Sequence, residues 1–137
     1  MTEPFSSNAR VRTSAGVILV VDDETAVTGV ISAVLGKNGY QVFCAHDGAE
    51  GVRLAAECKP DLIIMDITMP TMSGYDATQQ IKSNPELKNV PVIFLSGKSA
   101  AEDNGEAFRK GGATYLQKPF NSNQLKDLVT LTLLTAR

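Results

Sequence analysis

Five short apolar segments recur along the chain, and each is followed by polar residues. Residues 17–21 form a continuous apolar run, and residues 61–66 are nearly all apolar before they end in an acid. Runs of this length are typical of strands that are covered on both faces in a parallel sheet. The predicted strands are residues 17–21, 40–45, 61–66, 92–95 and 113–117.

Segments with helical spacing separate these strands. After the first strand, apolar residues recur at i, i+3, i+4, i+7 and i+8, a pattern that indicates a helix with one inward face. The pair Asn38-Gly39 is suited to end this helix in a left-handed turn. The residues expected to face inward are Val27, Val30, Ile31, Val34 and Leu35.

A second helix is predicted after the second strand. Asp47 is suited to its N-cap, because its short carboxylate can accept a backbone N–H of the first turn. Ala49, Val52 and Ala56 are expected to face inward. A third helix is predicted over residues 75–83.

The sequence favours the last of the predicted helices more than the one before it. Residues 99–110 form the weaker one, because the pair Asn104-Gly105 disfavours a helix at its centre. The final helix begins at Ser122, or at Asn121 just before it, since either can serve as the N-cap. Its inward face is expected to consist of Leu125, Leu128, Val129 and Leu133.

The order of these elements predicts the fold class. Strict alternation of five strands with five helices indicates parallel strands joined by right-handed crossovers. Five such units are too few for an eight-stranded barrel. We therefore expect an α/β fold: a doubly wound (βα)5, flavodoxin-like three-layer sandwich with a parallel five-stranded sheet of order 2-1-3-4-5. Residues 1–15 are expected to be a flexible N-terminal tail, and residues 16–137 to form one domain.

Composition and charge narrow the classes of function. The chain has 137 residues and is 43% hydrophobic, which is enough for one core. Its net charge is -2, from 13 Lys and Arg against 15 Asp and Glu, so charge gives no case for nucleic acid or an anionic membrane as a partner. The sequence has neither an apolar run near the roughly 20 residues of a membrane span nor a secretory signal, so a cytoplasmic location is expected.

Several residues that could carry chemistry are expected to be ordinary. Cys44 and Cys58 stand singly and are interpreted as small buried residues rather than as a disulfide. His46, the one histidine, is interpreted as a surface loop residue. Leu131 and Leu134 lie off the inward face of the last helix, where they either form part of a dimer or partner surface or simply widen its apolar face.

Polar side chains follow four of the five predicted strands. In a doubly wound sheet, the site lies beyond the carboxyl ends of the strands, where the strand order reverses. Any one of these acids could be a helix cap or a solvated loop residue. Together they place three carboxylates, a hydroxyl and an amine at one edge of the sheet. These residues are Asp22 and Asp23 after the first strand, Asp66 after the third, Ser96 after the fourth and Lys118 after the fifth.

This combination of groups predicts a phosphoryl-transfer site. Crowded carboxylates repel one another unless a cation compensates their charge. Mg²⁺ prefers oxygen ligands and takes one or two carboxylates together with a phosphate oxygen. A lysine and a hydroxyl stabilise a transferring oxyanion, and a carboxylate can act as the nucleophile.

Four segments of the sequence resemble the receiver domain of bacterial response regulators, and the resemblance extends over residues 16–136. The first is the run from Val20 to Glu24, which contains both aspartates. The second runs from Met65 to Pro70 and is followed by Gly74. The others are Ser96-Gly97 and the run from Tyr115 to Phe120, which contains Lys118-Pro119.

The resemblance implies a role for each acidic residue. Asp66 is implied to be the phosphoacceptor, which takes a phosphoryl group from a phosphohistidine of a partner kinase. Asp23 is implied to ligate Mg²⁺ directly, and Asp22 mainly through a bound water. The third protein ligand is implied to be the backbone carbonyl of Thr68, two residues after the acceptor.

The resemblance also implies a switch. Lys118 is implied to pair with a phosphoryl oxygen after transfer, and the Lys118-Pro119 bond to be cis. Ser96 is implied to turn to the new phosphoryl group, and Tyr115 to rotate inward. That change alters the face formed by the fourth helix, the fifth strand and the last helix. For Tyr115, a surface aromatic on an edge strand is the alternative interpretation. Lys98 and Thr68 are expected to affect the lifetime of the acyl phosphate, in a direction that the sequence does not fix.

These roles imply partners rather than substrates. The expected partners are a histidine kinase or phosphotransfer protein, a downstream protein or an output domain outside this chain, and a second copy in a homodimer. The chain is expected to undergo single-turnover phosphotransfer and autodephosphorylation, and not to be an enzyme. An unphosphorylated receiver-like binding module is the alternative. A dehalogenase-type phosphatase is disfavoured, because Thr68 stands at the position where such an enzyme requires its general acid. A flavodoxin-like cofactor site is disfavoured as well, because Asp22, Asp23 and Glu24 would repel the phosphate of the cofactor.

Overall fold

The computed structural model describes residues 15–136. Over this part of the chain five parallel strands form one sheet in the order β2-β1-β3-β4-β5, which confirms the predicted fold class. The predicted tail lies outside the described residues, apart from Ala15. The strands are β1 (Gly16–Val21), β2 (Tyr40–Ala45), β3 (Leu62–Asp66), β4 (Val92–Ser96) and β5 (Thr114–Gln117).

Helices cover both faces of this sheet. In residues 15–136 there are six, where the sequence predicts five. None of them has the length and apolar character that crossing a membrane requires. They are α1 (Thr25–Lys37), α2 (Gly48–Cys58), α3 (Gly74–Lys82), α4 (Ala100–Asp103), α5 (Glu106–Arg109) and α6 (Ser122–Thr135).

Alternate residues of the strands belong to two apolar cores, because successive side chains of a strand point to opposite faces of the sheet. Leu19 of β1 packs in a core with residues of α2, α3 and α5. Ile18, its neighbour in sequence, packs on the other face with residues of α1 and α6. Both residues are fully buried, which explains why the strand is a continuous apolar run and not an alternating one.

Helix caps agree with the sequence at two of the predicted positions. The Asp47 side chain accepts the N–H of Glu50 at the start of α2. Asn121, rather than Ser122, caps α6: its side chain accepts the N–H of Gln124, and the Gln124 side chain accepts the N–H of Asn121. This reciprocal pair is a capping box, which satisfies two backbone donors at once.

The inward face of α2 differs from the prediction. Ala49 and Ala56 are exposed, and Gly48, Gly51 and Ala55 are the buried residues of the helix. A side chain added at Gly51 would meet Val21 at about 3 Å, so α2 lies against the sheet through positions that have almost no side chain. The prediction was wrong for Ala49 and Ala56 because it placed the inward face one residue too far along the helix, whereas Val52 does pack against the core.

Val30 is a second correction. It was expected to face inward, but 55% of its surface is exposed. Ile31 and Leu35 are fully buried and make the main contact of α1 with the sheet. Val30 lies to one side of them and lines an open groove with Val27 and Phe120.

The fourth predicted helix is divided in two. Asn104 (φ 54°) and Gly105 (φ 80°) both adopt the left-handed conformation, which ends α4 before α5 begins. Asp103 joins the two pieces, since its Oδ2 accepts the N–H of Ala107 at 3.0 Å and its Oδ1 accepts the hydroxyl of Tyr75 at 3.0 Å. The buried Asp103 carboxylate therefore connects α3, α4 and α5.

Replacement of Tyr75 by Phe tests this connection. Burial, and then the neighbouring Asp103 carboxylate, raises the pKa of Tyr75, so the hydroxyl keeps its proton and donates. The ring packs edge-on against Phe94 with centroids 5.0 Å apart, and Phe can keep that contact. We expect Tyr75→Phe to lower the free energy of unfolding by about 1 kcal/mol and to speed amide exchange at Ala107.

The matched control is Tyr40→Phe, because the Tyr40 hydroxyl makes no hydrogen bond within the described residues. We expect a change below about 0.5 kcal/mol for it. Denaturation by urea and hydrogen exchange measure both variants. Equal stability losses in the two variants, or unchanged exchange at Ala107 in Tyr75→Phe, would contradict a structural role for the Tyr75–Asp103 bond.

Candidate functional site

The register of β1 and β3 places two aspartates side by side. Val21 lies opposite Met65 in this parallel pair, so the next residues, Asp22 and Asp66, both lie at the carboxyl end of the sheet. Both side chains are buried, with relative exposures of 0% and 4%. Carboxylates so far from solvent require compensation from within the protein or from a bound cation.

The register of the next two strand pairs brings the other candidates to the same edge. Asp66 lies opposite Leu95, and Ser96 is one residue further along β4. Ser96 lies opposite Gln117, the last residue of β5, and Lys118 follows directly. The Lys118 N–H donates to the Ser96 carbonyl at 2.7 Å, which continues the strand pairing to the site.

Asp22, Asp23 and Asp66 form a cluster of carboxylates. Each offers one oxygen, and these oxygens all lie within 4.8 Å of one another. Asp23 is exposed and the other two are buried, so the cluster opens to solvent on one side. Asp22 Oδ2 is buried and accepts no backbone N–H of the described residues. A hard divalent cation fits this set of oxygens, because it would satisfy that atom and compensate the charges.

The Lys118 ammonium lies beside the cluster. Its Nζ is 2.9 Å from Asp22 Oδ2 and 3.4 Å from Asp66 Oδ1. It is also 3.3 Å from Glu24 Oε1, to which it donates a hydrogen bond. The peptide bond from Lys118 to Pro119 is cis.

Burial and charge both affect the ionisation of Asp66. Burial, and then the Asp22 carboxylate, raises the pKa of Asp66 to about 6, although the Lys118 ammonium acts in the opposite direction. Burial alone would lower the pKa of Lys118, but the nearby carboxylates raise it above its ordinary value. At neutral pH the lysine is therefore charged and the Asp66 carboxylate is largely ionised.

The loop after β3 folds back on the strand. The Ile67 N–H donates to the Leu95 carbonyl at 3.0 Å, and the Gly74 N–H donates to the Ile67 carbonyl at 2.8 Å. Thr68 is exposed, and its carbonyl accepts no hydrogen bond from the described residues. Thr71 adopts the left-handed region with φ 74°, which is unusual for a β-branched residue and fixes the turn of this loop.

Ser96 and Tyr115 both contact Lys98. The Ser96 Oγ accepts the Lys98 N–H at 3.0 Å, and the Tyr115 hydroxyl donates to the Lys98 carbonyl at 2.5 Å. The Tyr115 ring is half-buried against the core, so it is not simply a surface aromatic. The two side chains thus hold opposite sides of one residue in the loop after β4.

The sequence did not identify Glu24 as part of the site. It follows the two aspartates, but its position in sequence gave no reason to expect contact with Lys118, which arrives from β5. Only the fold brings these two residues together. His46 takes no part in the cluster: its side chain is 43% exposed and lies 3.3 Å from Thr28 Oγ1.

Comparisons with known proteins agree with this geometry. A family model described as the response regulator receiver domain matches residues 18–130. The chain is 37% identical over 116 residues to the protein PilH of Pseudomonas aeruginosa, a match that covers 85% of this chain and 96% of PilH.

Solved structures give the same result. The chemotaxis protein CheY4 of Vibrio cholerae superposes with a TM-score of 0.80 and 29% identity, over 85% of this chain and 97% of CheY4. The receiver domain of the sensor histidine kinase PA1611 of Pseudomonas aeruginosa superposes with a TM-score of 0.80 and 32% identity, over 88% of this chain and 98% of that domain. That structure has a magnesium ion coordinated in its active-site cleft.

Several similar proteins are longer than this chain. They include transcriptional regulators, of which the chain spans 45% to 54% of the length. The similarity is therefore to a domain that occurs both nearly alone and joined to other domains.

Proposed function

The chain belongs to the response regulator receiver domain family, and on that premise we propose that Asp66 is its phosphoacceptor. Receivers are modules of two-component signalling rather than classical enzymes. The observation that carries the proposal is the buried Asp66 carboxylate, 3.4 Å from the Lys118 ammonium and beside Asp22 and Asp23. Asp22 shares these features, but Asp66 ends the central strand β3, so it lies between Asp22 after β1 and Ser96 of β4.

The reaction requires an ionised carboxylate at Asp66. A carboxylate oxygen forms a bond to the phosphorus of a phosphohistidine on a histidine kinase or phosphotransfer protein. The bond from phosphorus to the imidazole nitrogen breaks, and its electron pair stays on the imidazole. Lys118 then pairs with a phosphoryl oxygen, for which its present position beside Asp66 is suited.

Asp22, Asp23, Asp66 and the Thr68 carbonyl are the groups that would hold Mg²⁺. Two observations support this set: the buried Asp22 Oδ2 accepts no backbone N–H of the described residues, and the Thr68 carbonyl lacks a donor among them. Bound there, Mg²⁺ supplies positive charge to the transferring phosphoryl group. Without it, the added phosphoryl charge would face the two remaining carboxylates of the cluster, Asp22 and Asp23, and one lysine.

The Ser96–Lys98–Tyr115 contacts provide a route for the switch. If the Ser96 hydroxyl turns to the phosphoryl group, the Lys98 N–H loses its acceptor. The loop can then shift, and the Tyr115 hydroxyl loses the carbonyl that now holds it. Phosphorylation would in this way change the population of conformations of the face formed by α4, α5, β5 and α6. Thr68 and Lys98, which border this site, remain expected determinants of the acyl-phosphate lifetime.

That face is the proposed surface for a downstream partner, an output domain or a second copy of the chain. Phe108, Leu131 and Leu134 are exposed apolar residues on α5 and α6, with relative exposures of 58% to 78%. Asp66 is proposed to accept one phosphoryl group in each transfer and then to lose it by autodephosphorylation. We also propose that the protein is cytoplasmic, because the kinase domain that would donate the phosphoryl group lies in the cytoplasm.

Intact mass spectrometry tests the proposal. Incubation with acetyl phosphate and Mg²⁺ is expected to add one phosphoryl group, about 80 Da, to the wild-type chain. Asp66→Asn should show no such species, whereas Asp127→Asn, which alters an exposed aspartate of α6, should be labelled like the wild type. Excess chelator should prevent labelling. An unlabelled wild-type chain, or a labelled Asp66→Asn variant, would favour the unphosphorylated binding module instead.

A further inference from the structure

Glu24 occupies the N-cap position of α1 but does not cap the helix. Its backbone carbonyl accepts the N–H groups of Val27 and Thr28, while its side chain makes no hydrogen bond to the first turn. The side chain extends instead to Lys118, whose Nζ lies 3.3 Å from Oε1. The Glu24 side chain is 63% exposed, so it could equally be solvated.

Lys118 contacts three carboxylates, of which only that of Glu24 lies outside the aspartate cluster. Its Nζ is closest to Asp22 Oδ2, at 2.9 Å. The contact with Asp66 Oδ1 is longer, at 3.4 Å. Lys118 also donates a hydrogen bond to Glu24 Oε1 at 3.3 Å, so the ammonium is shared between the aspartate cluster and one exposed carboxylate.

An ammonium and a divalent cation compete for the same oxygens in this cluster. Lys118 lies within ion-pair distance of two of the three clustered carboxylates. A cation that binds Asp22 and Asp66 must share these oxygens with the ammonium or displace it. Like charges at such short range repel strongly in a buried site. Lys118 thus needs a partner outside the cluster if the cation is to bind well.

Glu24 is that partner, because it contacts Lys118 but does not belong to the Asp22–Asp23–Asp66 cluster. We propose that Glu24 is a positioning residue that holds the Lys118 ammonium when a divalent cation occupies the cluster. This inference rests on the proposed function, in which that cation is Mg²⁺. Since Glu24 is exposed, water can replace Lys118 at little cost when the ammonium later turns to a phosphoryl oxygen.

Calorimetric titration of the full chain with Mg²⁺ tests this role without any need for phosphorylation. Glu24→Ala is expected to weaken Mg²⁺ binding about three- to fivefold, as the loss of an exposed ion pair allows. Glu24→Gln, which keeps an oxygen acceptor, should weaken it less. Glu50→Gln is the matched control, because Glu50 contacts His46 and Arg53 but not Lys118, and it should leave the affinity unchanged.

A double-mutant cycle separates positioning from a plain charge effect. Lys118→Met removes the competing ammonium and is expected to strengthen Mg²⁺ binding at least about threefold. In that background Glu24→Ala should have no further effect, because there is no ammonium left to hold. Equal weakening in both backgrounds would overturn the proposal, since Glu24 would then attract the cation directly. No weakening in either background would overturn it as well.

Labelling by acetyl phosphate gives a second readout. In Glu24→Ala the Mg²⁺ concentration for half-maximal labelling should rise about three- to fivefold, while the rate at saturating Mg²⁺ does not fall. A fall in the saturating rate with an unchanged half-saturation would contradict the proposal. If the wild-type chain binds Mg²⁺ but is never labelled, the proposed function fails while the titrations still decide the role of Glu24. If the wild-type chain binds no Mg²⁺, both fail.

Discussion

Asp66→Asn is expected to raise the free energy of unfolding by up to about 3 kcal/mol at pH 7.5 in buffer without divalent cations. Asn has the shape of a protonated carboxyl group but carries no charge that could be repelled. In the folded chain, burial and Asp22 raise the pKa of Asp66 from 3.8 to about 6. The ionised carboxylate is therefore less stable in the folded state than in the unfolded state.

The sign of this effect fixes its dependence on pH. Between about pH 4 and pH 6 the folded state binds the Asp66 proton more tightly than the unfolded state does, so wild-type stability falls as the pH rises through this window. Above about pH 6 the ionised Asp66 carboxylate destabilises the folded state to its full extent. Below about pH 4 Asp66 is protonated in both the folded and the unfolded state, and the effect is absent. The advantage of Asp66→Asn should thus be largest at neutral pH and disappear near pH 3.5.

Urea denaturation followed by circular dichroism measures this difference, with chelator present. Asp127→Asn, at an exposed site on α6, is the control and should change stability by less than about 0.5 kcal/mol at every pH. Addition of Mg²⁺ should stabilise the wild type more than Asp66→Asn, because the cation binds only the folded state and loses a ligand in the variant. An Asp66→Asn variant that is no more stable than the wild type at pH 7.5 would contradict the assigned repulsion.

The sequence predicts the sheet well because its central strands β1, β3 and β4 are short apolar runs with a polar residue at or directly after their ends. The parallel register then determines which strand-end residues are neighbours: because Val21 lies opposite Met65, Asp22 and Asp66 must lie side by side. The placement of the strand-end residues could therefore be inferred without coordinates. Contacts between residues that are not at the ends of adjacent strands could not be inferred in this way, and the Glu24–Lys118 hydrogen bond is one of them.

The helices were harder to predict for two physical reasons. In α2 the closest contact with the sheet is made at Gly51 and the buried Ala55, and a glycine has no apolar side chain by which the sequence could mark that face. In the segment of α4 and α5, the pair Asn104-Gly105 does not only weaken a helix but ends it. The buried carboxylate that then caps α5, Asp103, also binds a tyrosine of α3, a tertiary contact that propensity does not contain.

Gly74→Ala is expected to lower the free energy of unfolding by about 3 kcal/mol and to disturb the site directly. A Cβ at this position would lie 2.1 Å from the carbonyl oxygen of Asp66 and 2.8 Å from its carbonyl carbon. Both are backbone atoms, so neither can move away as a flexible side chain would. The start of α3 must shift, or the backbone of Asp66 must.

Either movement alters the loop that carries Thr68, because the Gly74 N–H closes this loop onto Ile67. We therefore expect Gly74→Ala to weaken Mg²⁺ binding and to slow labelling by acetyl phosphate at least about tenfold, beyond what the loss of stability explains. Labelling is measured where the variant is still folded, as judged by circular dichroism. Normal labelling by a folded Gly74→Ala chain would show that the site tolerates the displacement.

Gly36→Ala is the matched control for this substitution. Gly36 lies within α1, and a Cβ added there meets no atom within 4 Å. Since Gly is less favourable than Ala inside a helix, this variant should gain about 0.5–1 kcal/mol and keep normal labelling. The same added methyl group would thus stabilise one helix and disrupt the other. The difference arises because Gly74 is required by its close approach to Asp66, not by the backbone conformation of a helix.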